Sequence, residues 1–203
     1  MVRNLYFFLN LFRGIPAYLL LQKSGAAKIL REETKGYAYF FEEDVPASFF
    51  AQFHQLMCRC DCYRSQAFYR CLQHSHICSS LIRLLFPIKK DLEIEGEIAE
   101  GLVIYHGHGT VIAPYKMGKN CSVYQGVTIG ANTKPGCQRS NPIIGDNVCI
   151  YTNAVVAGGI TIGDNVSIGA GAVVMKDVPS NSVVIGNPCS IKQKKNQDAQ
   201  HLT

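Results

Sequence analysis

No apolar run in this chain reaches the roughly 20 residues that a membrane-crossing helix needs. The most apolar segment, Leu5 to Leu21, is broken by Asn10, Arg13, Gly14 and Pro16, so a transmembrane segment is not expected. With those interruptions the run is also a poor fit to a signal peptide, and a cytoplasmic protein is expected. An interfacial amphipathic contact with a membrane stays open. No C-x-x-C pair occurs among the nine cysteines, whose number is odd and whose spacing is irregular, with Cys58, Cys60, Cys62, Cys71 and Cys78 grouped in a helical-looking region. Reduced thiols are therefore expected rather than a disulfide framework. Cys58 and Cys62 share a helix face with His74, His76 and Cys78 close by, but without a paired motif no metal is expected there. Nucleic-acid motifs and aromatic-interleaved basic stripes are absent as well. The net charge is only +5. Its clearest cluster, Lys192, Lys194 and Lys195, reads as a solvated end, with an anionic ligand as the alternative.

What the chain does have is a period. From Ile144 an aliphatic residue returns at every sixth position, through Ile150, Val156, Ile162, Ile168 and Val174. A helix would return its apolar face every 3.6 residues and a strand every 2, so a sustained six means a short flat strand and a turn, repeated. Three such units make one triangular coil, and stacked coils bury the aliphatic column. Backwards, the register runs Ile129, Val123, Met117 and Val111, slips by one residue, and continues through Ile104, Ile98 and Leu92. The slip lies in Tyr105-His106-Gly107-His108-Gly109-Thr110; a second, longer interruption spans Gly130 to Ile143. Loops leaving a regular scaffold are where function usually sits.

The amino-terminal part, residues 1–87, reads as helical. Pro46 suits a first helical position after Asp44, and Phe49, Phe53, Leu56, Met57 and Cys60 fall on one helical face. A further helix is expected from Phe68 to Phe86, stopped by Pro87. The repeat domain then occupies residues 88–191, and residues 192–203 form a polar tail. With 47% hydrophobic residues in 203, the chain can fill one or two cores.

The segment from Asp91 to Ile191 resembles the left-handed parallel β-helix acyltransferases, most closely the serine acetyltransferases and their relatives in polysaccharide gene clusters. The resemblance rests on Gly126-Val127-Thr128-Ile129-Gly130, on Ile162-Gly163-Asp164-Asn165-Val166-Ser167-Ile168-Gly169-Ala170-Gly171-Ala172-Val173-Val174, on Lys176-Asp177-Val178-Pro179, and on Gly186-Asn187-Pro188. It implies a mainly β fold, a left-handed parallel β-helix following an α-helical amino-terminal region. It also implies an acetyl-CoA-dependent O-acetyltransferase. In such enzymes an aspartate precedes the catalytic histidine by fifteen positions, and Asp91 precedes His106 by fifteen. His106 would then be the general base that takes the hydroxyl proton, and Asp91 the carboxylate that orients it and stabilises the imidazolium.

The acceptor side departs from the serine enzymes. Where they carry an aspartate before the histidine, this chain has Tyr105, and where their protruding loop carries Arg-His, it has Arg139-Ser140-Asn141. Tyr105, His108, Arg139 and Asn141 are thus the acceptor candidates, and a neutral polyhydroxy acceptor, a sugar or polysaccharide precursor, is slightly favoured over serine. A zinc reading of His-Gly-His would need a further histidine pair, and no histidine lies between His108 and His201. For coenzyme A the resemblance points to Thr152, Gly158, Ala170 and Lys176, with Lys192 as a further phosphate candidate. It implies a homotrimer with the site between subunits, extended to a dimer of trimers through the helices. The competing class is a non-catalytic β-helix scaffold in a biosynthetic complex.

Overall fold

The computed structural model describes residues 2–41, 45–132 and 140–194. The chain divides into two compact units, Met1–Lys90 and Asp91–Thr203.

The first unit is helical: α1 (Val2–Leu9), α2 (Leu11–Ser24), α3 (Ala27–Gly36), a short 3-10 turn (Ala38–Phe41), α4 (Phe49–Arg59), α5 (Asp61–Leu72) and α6 (His76–Leu85). Pro46 does not open α4. Ser48 does, because its hydroxyl accepts from the Ala51 N–H and satisfies an otherwise orphaned donor. Nor does one helix run from Phe68 to Phe86. The chain breaks after Leu72, and the Ser75 hydroxyl caps a new helix by accepting from the Cys78 N–H. Phe53, Leu56, Met57 and Cys60 are buried as the helical pattern requires, together with Tyr63, Ala67, Cys71 and Ile82. No helix among the described residues is long and apolar enough to cross a membrane.

The second unit is a parallel β-solenoid with three faces. The first face stacks β1 (Leu92–Ile94), β4 (Thr110–Ile112), β7 (Thr128–Gly130), β10 (Val155–Ala157) and β13 (Val173–Val174). The second stacks β2 (Glu97–Ile98), β5 (Lys116–Met117), β8 (Ile143–Ile144) and β11 (Thr161–Ile162). The third stacks β3 (Val103–Tyr105), β6 (Ser122–Tyr124), β9 (Cys149–Ile150), β12 (Ser167–Ile168) and β14 (Ser182–Ile185), closed by antiparallel β15 (Ser190–Gln193). The six-residue column is internal: Ile144, Ile150, Val156, Ile162, Ile168 and Val174 are each no more than 2% exposed. Gly145, directly after Ile144, leaves no room for a side chain. A Cβ there would stand 2.3 Å from the Asp164 carboxylate and 2.8 Å from the Gly163 backbone on the next coil. Corners are turned by Asn120, Asn147, Asn153, Asn165 and Asn181 at φ 54–59°, a left-handed conformation that asparagine tolerates better than other side-chain-bearing residues.

Two details depart from the sequence expectation. On β4 the inward residue is Ile112, fully buried and paired with Ile129, while Val111 is only half-buried. Tyr105 pairs with Tyr124 and Val111 with Thr128, so this corner takes six steps where the next coil takes four. The extra residues are accommodated at once in the His-Gly-His-Gly bend, and the following interval, Ile112 to Met117, is short by one. At the carboxyl end, residues 190–193 form β15, so the expected tail boundary at 192 falls inside a strand. Lys195 and the rest of the tail lie outside the described residues.

Candidate active site

The bend between β3 and β4 holds His106 in a conformation that histidine rarely adopts. Its φ is +63°, and the Gly107 N–H donates to the Tyr105 carbonyl at 2.8 Å across it. This is a γ-turn of the positive-φ kind, in which Cβ crowds the backbone. Every other described non-glycine residue with positive φ is an asparagine. Gly107 and Gly109 continue the bend at φ 54° and 59°. Strain of this type, of order 1–3 kcal/mol, persists where surrounding structure enforces it and clusters at functional sites. The His106 ring is exposed.

Asp91 sits beside the same bend, against a different histidine. Its Oδ2 lies 3.4 Å from His108 Nδ1 and accepts the Gly109 N–H at 3.2 Å. The expected partner was His106. The correction follows from register: Leu92 pairs with Thr110, so one full coil of eighteen residues sets Asp91 against Gly109 and its neighbour His108. The fifteen-residue spacing falls short of that coil. His108 is held further through its carbonyl, which accepts the Gly126 N–H at 2.8 Å and the Thr110 hydroxyl at 3.2 Å.

Tyr105 packs away from the bend. Its ring stacks on Tyr124 (4.6 Å between centroids, 16° between planes), and Tyr124 in turn lies 5.1 Å from Tyr151. Burial, and secondarily the neighbouring Cys149, pushes the Tyr105 hydroxyl above its ordinary value, so it is a neutral phenol. Tyr151 is pushed up to about 12 by its hydrogen bond with Cys149. This tyrosine column was not anticipated. Its signal was Tyr105, Tyr124 and Tyr151 at equivalent strand ends, which only register reveals. Asn141 uses both ends of its amide within the fold: Nδ2 donates to the Ala113 carbonyl after β4 at 2.7 Å, and Oδ1 accepts the Ser140 hydroxyl at 2.9 Å. Arg139 lies outside the described residues.

The coenzyme A candidates form two vertical pairs. Ser167 pairs with Cys149 and Ile168 with Ile150, which sets Ala170 over Thr152, and the Gly171 N–H donates to the Thr152 carbonyl at 2.9 Å. This is the same third-to-first-face corner that carries His106 two coils away. Val174 pairs with Val156, which sets Lys176 over Gly158 at the next corner. Lys176 also lines a shallow pocket of about 210 Å³ with Val173, Met175, Asn187, Pro188 and Cys189. Lys192 stands elsewhere, on β15 opposite Val183.

Period and stacking together define a hexapeptide-repeat solenoid. A family profile described as "Bacterial transferase hexapeptide (six repeats)" matches residues 141–176. Serine acetyltransferase of Synechococcus elongatus is 41% identical over 111 residues, 54% of this chain and 44% of that protein. Its counterpart in Staphylococcus xylosus is 48% identical over 93 residues, 45% of this chain and 43% of that protein. The matched segment thus spans under half of either relative. Among solved structures, Neisseria gonorrhoeae serine acetyltransferase in complex with serine superposes with a TM-score of 0.62 at 26% identity, over 86% of this chain and 72% of that one. The solenoid is a left-handed parallel β-helix, and these likenesses support a serine acetyltransferase-like hexapeptide-repeat family for the chain.

Proposed function

We infer that the protein is an acetyl-CoA-dependent O-acetyltransferase whose acceptor is serine. The observation that carries this is His106, exposed and held in a strained γ-turn at the corner it shares with Thr152 and Ala170. An alcohol attacks a thioester only as its proton leaves, and His106 is the base placed to take it. The hydroxyl oxygen bonds to the acetyl carbon, the carbon–sulfur bond breaks, and the proton held on His106 passes to the departing coenzyme A sulfur. Asp91 holds His108 beside the base, adding a fixed negative charge that favours the imidazolium. Coenzyme A lies along the solenoid edge past Thr152 and Ala170, with Lys176 toward its phosphates.

The slight sugar preference drawn from Tyr105 finds no support among the relatives, which are named for serine. Tyr105 is stacked on Tyr124 and, as a neutral phenol, offers no charge to an ammonium group; the half-exposed Asp91 carboxylate supplies one at the same corner. Because His106 stands open on the solenoid edge, a neighbouring subunit of a homotrimer would complete its pocket. The reaction belongs to the cytoplasm, where acetyl-CoA is available.

Thiol release from acetyl-CoA, followed with serine and with a panel of sugars and nucleotide sugars, tests this reading. Serine should give the highest kcat/KM, and His106→Ala should abolish the dependence on acceptor. A higher value for any sugar overturns the serine assignment, and the absence of turnover with every acceptor overturns the transferase.

A further inference from the structure

The helical unit displays a broad apolar face. On α2, Phe12, Ile15 and Leu19 follow one another at helical spacing and point outward, with Phe12 74% and Leu19 61% exposed. On α6, Ile77, Leu81 and Leu84 do the same, with Ile77 75% and Leu84 79% exposed. The two stripes meet. Leu19, Leu20 and Lys23 line one wall of a groove of about 420 Å³, and Leu81, Leu84 and Leu85 line the other. Tyr6, Phe8 and Leu9 of α1 are exposed as well. Contiguous apolar surface of this extent on a soluble domain marks an interaction site.

Charge selects the occupant. Helices α1, α2 and α6 contain Arg3, Arg13, Lys23 and Arg83 and no aspartate or glutamate. Residues 1–90 hold twelve Lys and Arg against six Asp and Glu, whereas residues 91–203 hold eight against nine. The positive excess of the protein is therefore confined to the unit with the apolar face. A second copy seated on this face would bring two exclusively basic helix sets together, with no carboxylate on either side to offset them. An anionic lipid surface complements both features. Apolar side chains enter the headgroup boundary while lysine and arginine meet the phosphates, and no spanning helix is needed.

We propose that this face of the helical unit docks on anionic phospholipid. Phe12, Ile15, Leu19, Ile77, Leu81 and Leu84 are the inserted residues, and Lys23 and Arg83 the headgroup contacts. The inference does not rest on the acetyltransferase assignment.

Cosedimentation of the full chain with vesicles of phosphatidylcholine alone, or of phosphatidylcholine mixed with phosphatidylglycerol, tests it. The protein should pellet with the mixed vesicles, and binding should be roughly tenfold weaker on neutral ones and fall with added salt. The double variant Leu19→Glu/Leu84→Glu should lose about tenfold or more of the binding with an unchanged melting curve, because both side chains are exposed. Lys23→Glu, which leaves the apolar stripe intact, should weaken binding severalfold. Failure to pellet with mixed vesicles, or equal binding to both kinds, overturns the proposal. It is also overturned if light scattering shows the wild type assembling through this face, the double variant dissociating, and neither binding vesicles.

Discussion

Asp91 Oδ2 lies 3.4 Å from His108 Nδ1, while His106, two residues earlier, occupies the strained turn. The carboxylate and the candidate base therefore share one bend without sharing a hydrogen bond, and the histidine that the carboxylate meets is His108, two residues after His106. A charge that acts through His108 would still favour an imidazolium at His106, although at greater range than a direct contact.

Kinetics can separate these roles. His106→Ala should lower kcat by roughly 10²–10⁴, the range for loss of a positioned general base. Asp91→Asn and His108→Thr should each cost less and should not add, because both remove the same pair. Additive losses in the double variant would show that Asp91 acts independently of His108.

The γ-turn makes a second, opposite prediction for stability. At φ +63° glycine carries no Cβ penalty, so His106→Gly should raise stability by about 1 kcal/mol, the relieved strain less glycine's entropic cost. The same variant should be inactive. His106→Ala, which keeps Cβ, should gain nothing. A denaturant midpoint for His106→Gly at or below wild type would remove strain from the account.

Ile162→Asp should cost several kcal/mol, since it places a carboxylate in an aliphatic column where the replaced side chain is 1% exposed. Asp164, two residues on, is exposed. Its Oδ1 nevertheless accepts the Asp146 N–H at 2.7 Å, and Ser180 does the same for the Asp164 N–H one coil further. Asp164→Ser should thus be almost neutral and Asp164→Ala should cost about 1 kcal/mol. Thermal melts of the three variants give the order directly.

Alkaline stability should depend on two buried thiols. Burial pushes Cys71 up to about 11 and Cys121 up to about 12, from an ordinary value of 9.0. A raised folded pKa means that the folded state keeps its proton longer. The contribution is therefore complete below pH 9 and declines as pH rises from 9 toward 11–12. Denaturant midpoints should fall across that window, and Cys121→Ala should flatten the decline relative to wild type. A parallel decline in both proteins would assign it to other groups.

The solenoid was legible in the residue order because its physics is one-dimensional. Each coil must send one aliphatic inward per face, so Ile144 through Val174 declare their burial by period alone. The helical character of residues 1–87 was legible for a similar reason, and so was the irregular bend that carries His106, since it is a break in that period. The order of residues could not choose between Val111 and Ile112, because both are apolar and the choice depends on how many residues the preceding bend consumes. It could not place Asp91 against His108, which follows from the eighteen-residue stacking of Leu92 on Thr110 and not from any local spacing. The Tyr105–Tyr124–Tyr151 column and the two edge pairs, Thr152 with Ala170 and Gly158 with Lys176, likewise exist only once coils are laid in register. Inward burial repeats along the chain and leaves a signature in sequence. Contacts between coils join residues that no short-range pattern relates.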